Sequence, residues 1–241
     1  MSSLGPRRHL PELLDADDVS VTDAARSARA LSRINLGLGG DRALRQHLRG
    51  LRRARGVEVL DVGAGRGDLP LRLGAWARRG GGRWRIVILD RHPVLSRMAR
   101  EQLREAGDGT VVRGDALRIP FRDDSFDVVT CNLVLHHFRD TEAVALLREM
   151  GRVARQRVIV NDLERNRVHY AAVRVLAATI WRRDPITRTD APRSVLQAFT
   201  RQELADLARR AGLAPGSVRR HFPYRLVLDA TARSTPPWRT R

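Results

Sequence analysis

Short apolar runs alternate with amphipathic segments through the middle of the chain. The runs lie at residues 57–62, 84–89, 111–113, 126–131 and 157–160. Between them, residues 69–79, 93–105 and 141–153 place apolar side chains three or four positions apart, which is the spacing of helices with one buried face. Uninterrupted apolar runs are typical of parallel strands that are covered on both faces. The alternation therefore predicts an α/β fold built on a doubly wound, mostly parallel sheet.

The N-terminal quarter has helical spacing only. Residues 22–53 carry apolar positions three to four apart, interrupted by the GLGG sequence at 37–40. This pattern predicts two helices in an N-terminal helical cap at residues 1–53, which precedes a catalytic domain at residues 54–230.

The C-terminal third departs from the alternation after Asp162. Residues 168–182 are predicted to be helical and residues 183–197 to be an irregular polar insert, so that residues of about 163–199 form a helical lid. Thr200 and Glu203 have capping-box spacing and predict a further helix start. Apolar segments at 217–222 and 224–230 predict an antiparallel hairpin, which completes a Rossmann-like seven-stranded sheet, and residues 231–241 are predicted to be a flexible tail.

Composition excludes several kinds of protein but does not indicate an activity. The formal net charge is +18, and all 45 basic residues are arginine because the chain contains no lysine. A basic protein attracts phosphates, but arginines spread along a lysine-free chain favour a GC-rich coding bias over a nucleic-acid surface. The single cysteine, Cys131, excludes an internal disulfide framework and a cysteine-based zinc site. No membrane span and no signal peptide are expected, so we predict a cytoplasmic enzyme.

The first apolar run leads into a glycine-rich turn, VLDVGAGRGD at residues 59–68. Glycines let a backbone approach a ligand closely, and the following helix start offers N–H donors. A dinucleotide fingerprint requires its third glycine at position 68, where this chain has Asp68. The turn therefore indicates a nucleotide-like ligand but departs from the dinucleotide pattern.

Three further motifs follow the glycine turn: IVILD at residues 86–90, Gly-Asp-Ala at residues 114–116 and FDVVTCNLVLHHF at residues 126–138. In this order the four motifs resemble those of the class I S-adenosylmethionine-dependent methyltransferase family, in particular its quinone and polyketide branch. They cover about residues 57–162, and each is weak alone. The resemblance implies S-adenosylmethionine as the cofactor. It places the cofactor on the residues Asp61, Gly63, Ala64, Gly65, Gly67, Asp90, Arg91, Asp115, Ala116, Asn132 and Leu133. Within that set, the family pattern assigns Asp61 and the glycines to the methionine part, Asp90 to the ribose and Asp115 to the adenine.

Three side chains are candidates for catalysis. His136 and His137 follow the fourth strand, and Asp162 ends the fifth. A histidine titrates near neutrality and could remove a phenolic proton, whereas a purely structural role for the pair stays open. Asp162 is a second candidate base. The sequence shows no metal-ligand cluster, and no metal is expected.

The resemblance narrows the acceptor only by exclusion. The chain has Asn132-Leu133-Val134 where methylation of base nitrogens goes with a Pro-Pro-aromatic element, and Cys131 lacks the preceding proline of cytosine methylation. We therefore expect methylation of an oxygen or carbon of a small, lipophilic, phenolic or quinone-like acceptor, and we disfavour nucleic acid as a partner. The protein is expected to be a monomer or a homodimer. An RNA methyltransferase, a non-catalytic cofactor-binding protein and a nicotinamide oxidoreductase stay open as alternatives.

Overall fold

The structure, a computed structural model, describes residues 4–10, 12–13, 21–106, 109–182 and 184–232. The acidic stretch at 15–18 and most of the predicted tail lie outside these residues. In chain order the elements are α1 (Val21–Gly37), α2 (Gly40–Leu48), β1 (Arg55–Val62), α3 (Asp68–Arg79), β2 (Arg83–Asp90), α4 (Pro93–Ala106), β3 (Thr110–Arg113), β4 (Phe126–Asn132), α5 (Asp140–Val153), β5 (Ala154–Leu163), α6 (Arg167–Ala178), α7 (Pro185–Gln197), α8 (Arg201–Arg210), β6 (Ala214–His221) and β7 (Arg225–Thr231). A 3-10 turn, Leu135–His137, follows β4.

The strands form one seven-stranded sheet in the order β3-β2-β1-β4-β5-β7-β6. The first five are parallel, whereas β7 runs antiparallel to both β5 and β6. The predicted Rossmann-like fold with its C-terminal antiparallel hairpin is confirmed. The strand order reverses between β1 and β4, and ligands bind at the carboxyl ends of strands beside such a reversal.

Both faces of the sheet are covered because its strands alternate apolar side chains between two cores. Val158 and Val160 point into a core with α5 and α8, and Ile159 between them points into a core with α2, α3 and α4. Leu44 and Leu48 of α2 are fully buried in that second core. The second N-terminal helix is thus one of the layers that cover the sheet. The division into a cap at 1–53 and a domain at 54–230 stays a prediction.

Most of the polar segment predicted as an irregular insert, Pro185–Gln197, forms a helix, so that prediction is wrong there. Asp184 caps the helix, since its side chain accepts a hydrogen bond from the amide of Thr187. Pro185 occupies the first turn, where its missing N–H costs nothing. The apolar spacing is too weak to reveal this helix because Pro192 and polar residues fill it. The predicted start at Thr200 is correct, with a complete capping box to Glu203.

The N-terminal residues 4–13, as far as they are described, lie across α7 in an extended path that we call the N-terminal strap. The amides of Arg8, Leu10 and Leu13 donate to Leu196 O, Gln197 Oε1 and Asp190 Oδ1 respectively, at 2.9–3.2 Å.

Within the described part of the chain, no helix has the length and apolarity that crossing a bilayer requires.

Candidate active site

The glycine turn after β1 is tightly packed on one side and open on the other. Gly63 has a φ of +69°, and a Cβ at this position would lie 2.6 Å from Val134 Cγ2. At Gly65 (φ +56°) the nearest atom to such a Cβ is Leu95 Cδ1, 4.0 Å away. The backbone can therefore be approached closely at Gly65. Ala64 is partly buried, and Gly67 ends the turn directly before α3.

Asp61 lies at the end of β1, beneath this turn, and is 3% exposed. Its Oδ1 accepts a hydrogen bond of 2.5 Å from the hydroxyl of Thr130 on the neighbouring strand β4. Burial and, to a smaller extent, nearby Asp90 raise the pKa of Asp61 to about 7, although the hydrogen bond from the Thr130 hydroxyl opposes the shift. A buried carboxylate of this kind gains most from a cationic partner, because the cation offsets its desolvation.

Asp90 ends β2, next to the turn. Its Oδ2 accepts from the amide of Gly65 at 2.7 Å and its Oδ1 from the amide of His92 at 2.8 Å. Burial raises its pKa, and these two amides oppose the shift. Each carboxylate oxygen keeps a second lone pair that can accept from a ligand hydroxyl. Arg91, the next residue, is exposed.

The remaining cofactor candidates follow β3 and β4 at the same edge of the sheet. Asp115 is exposed, and its Oδ1 accepts from the amide of Leu117 at 2.9 Å, while Ala116 is partly buried. Asn132 Oδ1 accepts from Asn161 Nδ2 at 2.6 Å. Leu133 has a φ of +55°, which is uncommon for a residue with a side chain and marks a constrained backbone at this edge.

The three catalytic candidates meet at the ends of β4 and β5. His136 Nδ1 lies 2.6 Å from Asp162 Oδ1, and the His136 amide donates to Asp162 Oδ2 at 3.0 Å. Both side chains are almost fully buried, at 3% and 2% exposure. Burial alone would raise the pKa of Asp162, but His136 and the hydrogen bonds to the carboxylate lower it below its ordinary value. The imidazoles of His136 and His137 face each other with ring centroids 4.4 Å apart.

Glu12 joins this group, and sequence reasoning missed it. Its Oε1 lies 3.7 Å from His136 Nε2, and its Oε2 lies 3.9 Å from His137 Nε2. The hydroxyl of Ser194 and the amide nitrogen of Gln197 hold the carboxylate from behind, at 2.5 and 3.0 Å. No signal in the sequence could have found it, since more than a hundred residues separate Glu12 from the histidines and no motif surrounds it.

Arg7 holds the strap against the histidine turn. Its guanidinium donates to the carbonyl oxygens of His136 and Phe138 at 2.7 and 2.6 Å, pairs with Asp140 at 3.0 Å and lies 3.9 Å above the ring of Phe199. Burial lowers the pKa of Arg7, although Asp140 opposes the shift. The strap is therefore part of the wall around His136 and His137.

Cys131 and three aromatic residues, Tyr170, Trp181 and Phe199, are further side chains whose chemistry could serve a ligand site. Cys131 is fully buried in the core, and burial raises the pKa of its thiol well above the ordinary value, which agrees with a packing role. Phe199 is buried beneath Arg7. Tyr170 lines a cavity of about 480 Å³ between the strap and α6, together with Arg8 and Leu196. Trp181 follows α6 and is partly buried.

Comparison with known proteins agrees with this geometry. A family profile described as a methyltransferase domain matches residues 59–157. A demethylmenaquinone methyltransferase of Roseiflexus sp. (strain RS-1) is 33% identical over 165 residues, 64% of this chain and 66% of that protein. The chain belongs to the class I S-adenosylmethionine-dependent methyltransferase family. The ubiquinone/menaquinone biosynthesis C-methyltransferase UbiE of Idiomarina loihiensis is 36% identical over 102 residues, but the match spans only 41% of this chain and 39% of that relative.

Solved methyltransferase structures share the fold. A SAM-dependent methyltransferase from Aquifex aeolicus superposes with a TM-score of 0.65 at 18% identity, covering 89% of this chain and 100% of that one. The magnesium protoporphyrin IX methyltransferase from Synechocystis, solved with bound SAH, has a TM-score of 0.53 at 17% identity over 88% of this chain and 84% of that one. At these identities the likeness establishes the fold alone.

The cofactor of the family is S-adenosylmethionine, and the residues at this edge of the sheet fit it. Asp61 offers a buried negative charge for an ammonium group, and Asp90 offers carboxylate oxygens for a pair of hydroxyls. Gly65 leaves the space that a ligand beside the turn needs. The assignment of individual residues to parts of the cofactor stays a prediction.

Proposed function

We propose that this methyltransferase transfers a methyl group from S-adenosylmethionine to an oxygen or carbon of a small, lipophilic, phenolic or quinone-like acceptor. Relatives named as demethylmenaquinone and 2-phytyl-1,4-naphtoquinone methyltransferases support the acceptor class. The chain spans 66% or less of those relatives, so their substrates suggest a class of acceptor and not a particular compound.

One observation carries the catalytic part of the proposal, and it is the buried pair of His136 and Asp162. His136 lies in the turn after β4 and Asp162 near the end of β5, at the edge of the sheet where the cofactor candidates lie. Asp162 holds Nδ1 of His136, and a carboxylate in this position favours the tautomer with its proton on Nδ1. Nε2 then keeps its lone pair and points toward Glu12. A lone pair fixed in this way can receive the proton of an acceptor hydroxyl or of an acidic carbon.

The other residues bind and orient. When bound, S-adenosylmethionine supplies a methyl group that is already activated on a sulfonium, so the protein contributes mainly alignment and exclusion of water. Asp61 and Asp90 hold the cofactor's polar groups, and Gly63 and Leu133 shape the backbone beside it. As the acceptor's new bond to the methyl carbon forms, the bond from sulfur to that carbon breaks, and the proton leaves through Nε2 of His136.

The acceptor is enclosed, in this proposal, by α6, α7 and the N-terminal strap, which correspond to the predicted lid and part of the predicted cap. The strap crosses α7 and is tied to the histidine turn through Arg7. A lipophilic acceptor fits such an enclosure better than a nucleic acid, which needs an open groove. No comparison supports an RNA acceptor, and we do not propose one.

The test is transfer of label from methyl-labelled S-adenosylmethionine. The purified chain is incubated with naphthoquinols, with simple phenols and with total RNA in parallel. We expect a labelled quinol or phenol product and no labelled RNA. Label in RNA alone would overturn the acceptor class, and tight S-adenosylhomocysteine binding without any transfer would favour a non-catalytic binding protein.

Variants of the His136–Asp162 pair test its role. We expect His136→Ala and Asp162→Ala to lower turnover by about 10²–10⁴-fold, the usual contribution of a positioned base, with little change in the dissociation constant of S-adenosylhomocysteine. His221→Gln is the control, because His221 is a histidine on β6 outside the cluster. Unchanged turnover in both cluster variants would limit the pair to a structural role.

A further inference from the structure

Glu12, His136 and His137 place three potential metal-ligand atoms around one point. One atom from each residue can be chosen so that all three lie within 4.8 Å of one another. The contacts between them, 3.7 Å from Glu12 Oε1 to His136 Nε2 and 3.9 Å from Glu12 Oε2 to His137 Nε2, are too long for direct hydrogen bonds. A carboxylate and two imidazoles that converge without bonding directly leave room for something between them.

The spacing suits a divalent cation. Ligand atoms about 2.1 Å from a metal lie about 3.4 Å apart in a tetrahedral site and about 3.0 Å apart in an octahedral one. The observed separations of 3.7 and 3.9 Å exceed the tetrahedral value by about half an ångström or less. Side-chain rotation of Glu12 can close these two differences, whereas the separation between the two imidazole ligand atoms, at most 4.8 Å, closes only by rotation of a histidine side chain.

Two of the ligands, His136 and Glu12, are oriented from behind in the way metal ligands usually are. Asp162 holds Nδ1 of His136 at 2.6 Å, which directs Nε2 toward the common point. Ser194 and Gln197 donate to Oε1 of Glu12. His137 lies against the ring of His136. Such supporting contacts are a general feature of metal sites, where they fix the orientation of the ligands.

We propose that Glu12, His136 and His137 bind one divalent first-row transition cation, and that an oxygen of the acceptor occupies an open position on it. Two imidazoles and one carboxylate favour zinc, cobalt or iron over magnesium, which prefers oxygen ligands. The identity of the acceptor in this statement rests on the proposed function, whereas cation binding itself does not. This proposal departs from the expectation, drawn from the sequence, that no metal is bound.

The cation would change how the acceptor loses its proton. A hydroxyl bound to a divalent cation has a lowered pKa, so its O–H bond breaks with the proton passing to solvent water. With the cation held by Glu12, His136 and His137, the acceptor oxygen would form its bond to the methyl carbon as the sulfur–carbon bond breaks and S-adenosylhomocysteine leaves. In the metal-free protein, Nε2 of His136 carries a free lone pair and takes the proton itself. Nε2 of His136 therefore binds either the proton of the acceptor or the cation, but not both at once.

The site also ties the strap to the sheet. Glu12 belongs to the strap, whereas His136 and His137 belong to the turn after β4. A cation bound by all three would stabilise the folded state in proportion to its free concentration. We therefore expect a cation-dependent rise in melting temperature, which is a readout independent of activity.

The experiment uses the untagged, chelator-treated full chain and cobalt(II) and zinc(II) as probes. We expect about one equivalent of cobalt by equilibrium dialysis, with visible absorption bands of a low-symmetry site, and no comparable magnesium binding. Glu12→Gln keeps the shape of the side chain but removes its charge, and we expect at least about a tenfold weaker affinity, the scale expected on losing a ligand contact. His137→Gln should behave alike.

A second histidine pair provides the control. His47 Nε2 and His221 Nε2 lie 3.1 Å apart beside Asp229 and could bind cobalt themselves. His221→Gln should leave binding unchanged if the proposal holds. Cobalt binding that is absent from the parent protein, or equal in the parent and in both cluster variants, would overturn it. Methyl transfer by the chelated protein would then show that the proposed function stands without the metal.

Discussion

The carboxylate of Asp61 shares a 2.5 Å hydrogen bond with the hydroxyl of Thr130, across the boundary between β1 and β4 where the sheet reverses its order. Both groups are buried, and the pKa of Asp61 is raised to about 7 by that burial. A carboxylic acid placed here is therefore poised between its neutral and its charged form near neutral pH.

We expect cofactor binding to weaken as the pH falls below about 7. The bound ammonium group favours the carboxylate, so at lower pH Asp61 must first release a proton, and the affinity for S-adenosylhomocysteine should fall by up to about tenfold per pH unit. Isothermal titration between pH 5.5 and 7.5 measures this. Asp61→Asn should bind more weakly and lose the pH dependence; a flat profile in the parent protein would contradict the assignment of Asp61.

Gly63→Ala should destabilise the protein more than Gly81→Ala does. Both glycines have positive φ, at +69° and +85°, so both substitutions strain the backbone alike. Only at Gly63 would the new methyl group meet a neighbour, Val134 Cγ2 at 2.6 Å, while nothing lies within 4 Å at Gly81. We expect a difference of about 1–3 kcal/mol in the free energy of unfolding from urea titrations. Equal values would show that the turn can move away from Val134.

Leu44→Ala tests whether α2 belongs to the core. Leu44 is fully buried against the sheet, so its truncation should cost about 2–5 kcal/mol of unfolding free energy. Leu38→Ala is the matched control, since Leu38 is 41% exposed and its loss should change stability by less than about 0.5 kcal/mol. If both variants unfold at the same denaturant concentration as the parent, α2 is a detachable cap.

Arg7→Ala should release the strap. The hydrogen bonds of Arg7 to the carbonyl oxygens of His136 and Phe138 are lost, so the amides of Leu10 and Leu13 should exchange hydrogen faster. We also expect the KM for the acceptor to rise more than the dissociation constant of S-adenosylhomocysteine. Arg104→Ala controls for charge, because Arg104 is exposed in the last turn of α4, on a different element from the strap. Unchanged exchange at Leu10 and Leu13 would mean that the backbone contacts to α7 hold the strap alone.

Local patterns in the sequence are sufficient to predict the helices and strands whose apolar periodicity matches the two cores. The apolar runs predict all five parallel strands to within a few residues of their ends. For β1, β2, β4 and β5 the reason is that strands covered on both faces carry long apolar runs, whereas β3 lies at the edge of the sheet and has no buried residue. The sequence does not predict helix α7 because its apolar residues lack helical periodicity. Asp184 and Pro185 at its start, together with tertiary packing, stabilise the helix instead. Propensity is a weak guide where tertiary contacts select the conformation.

The sequence by itself determined the fold and the methyl-donor family. Strand ends and the glycine turn lie close together along the chain, and their order fixes which edge of the sheet they reach. Only the tertiary structure placed Glu12 against His136 and His137 and laid the strap over α7. These contacts join residues more than a hundred positions apart through single hydrogen bonds and side-chain packing, and such contacts leave no periodic trace in a sequence.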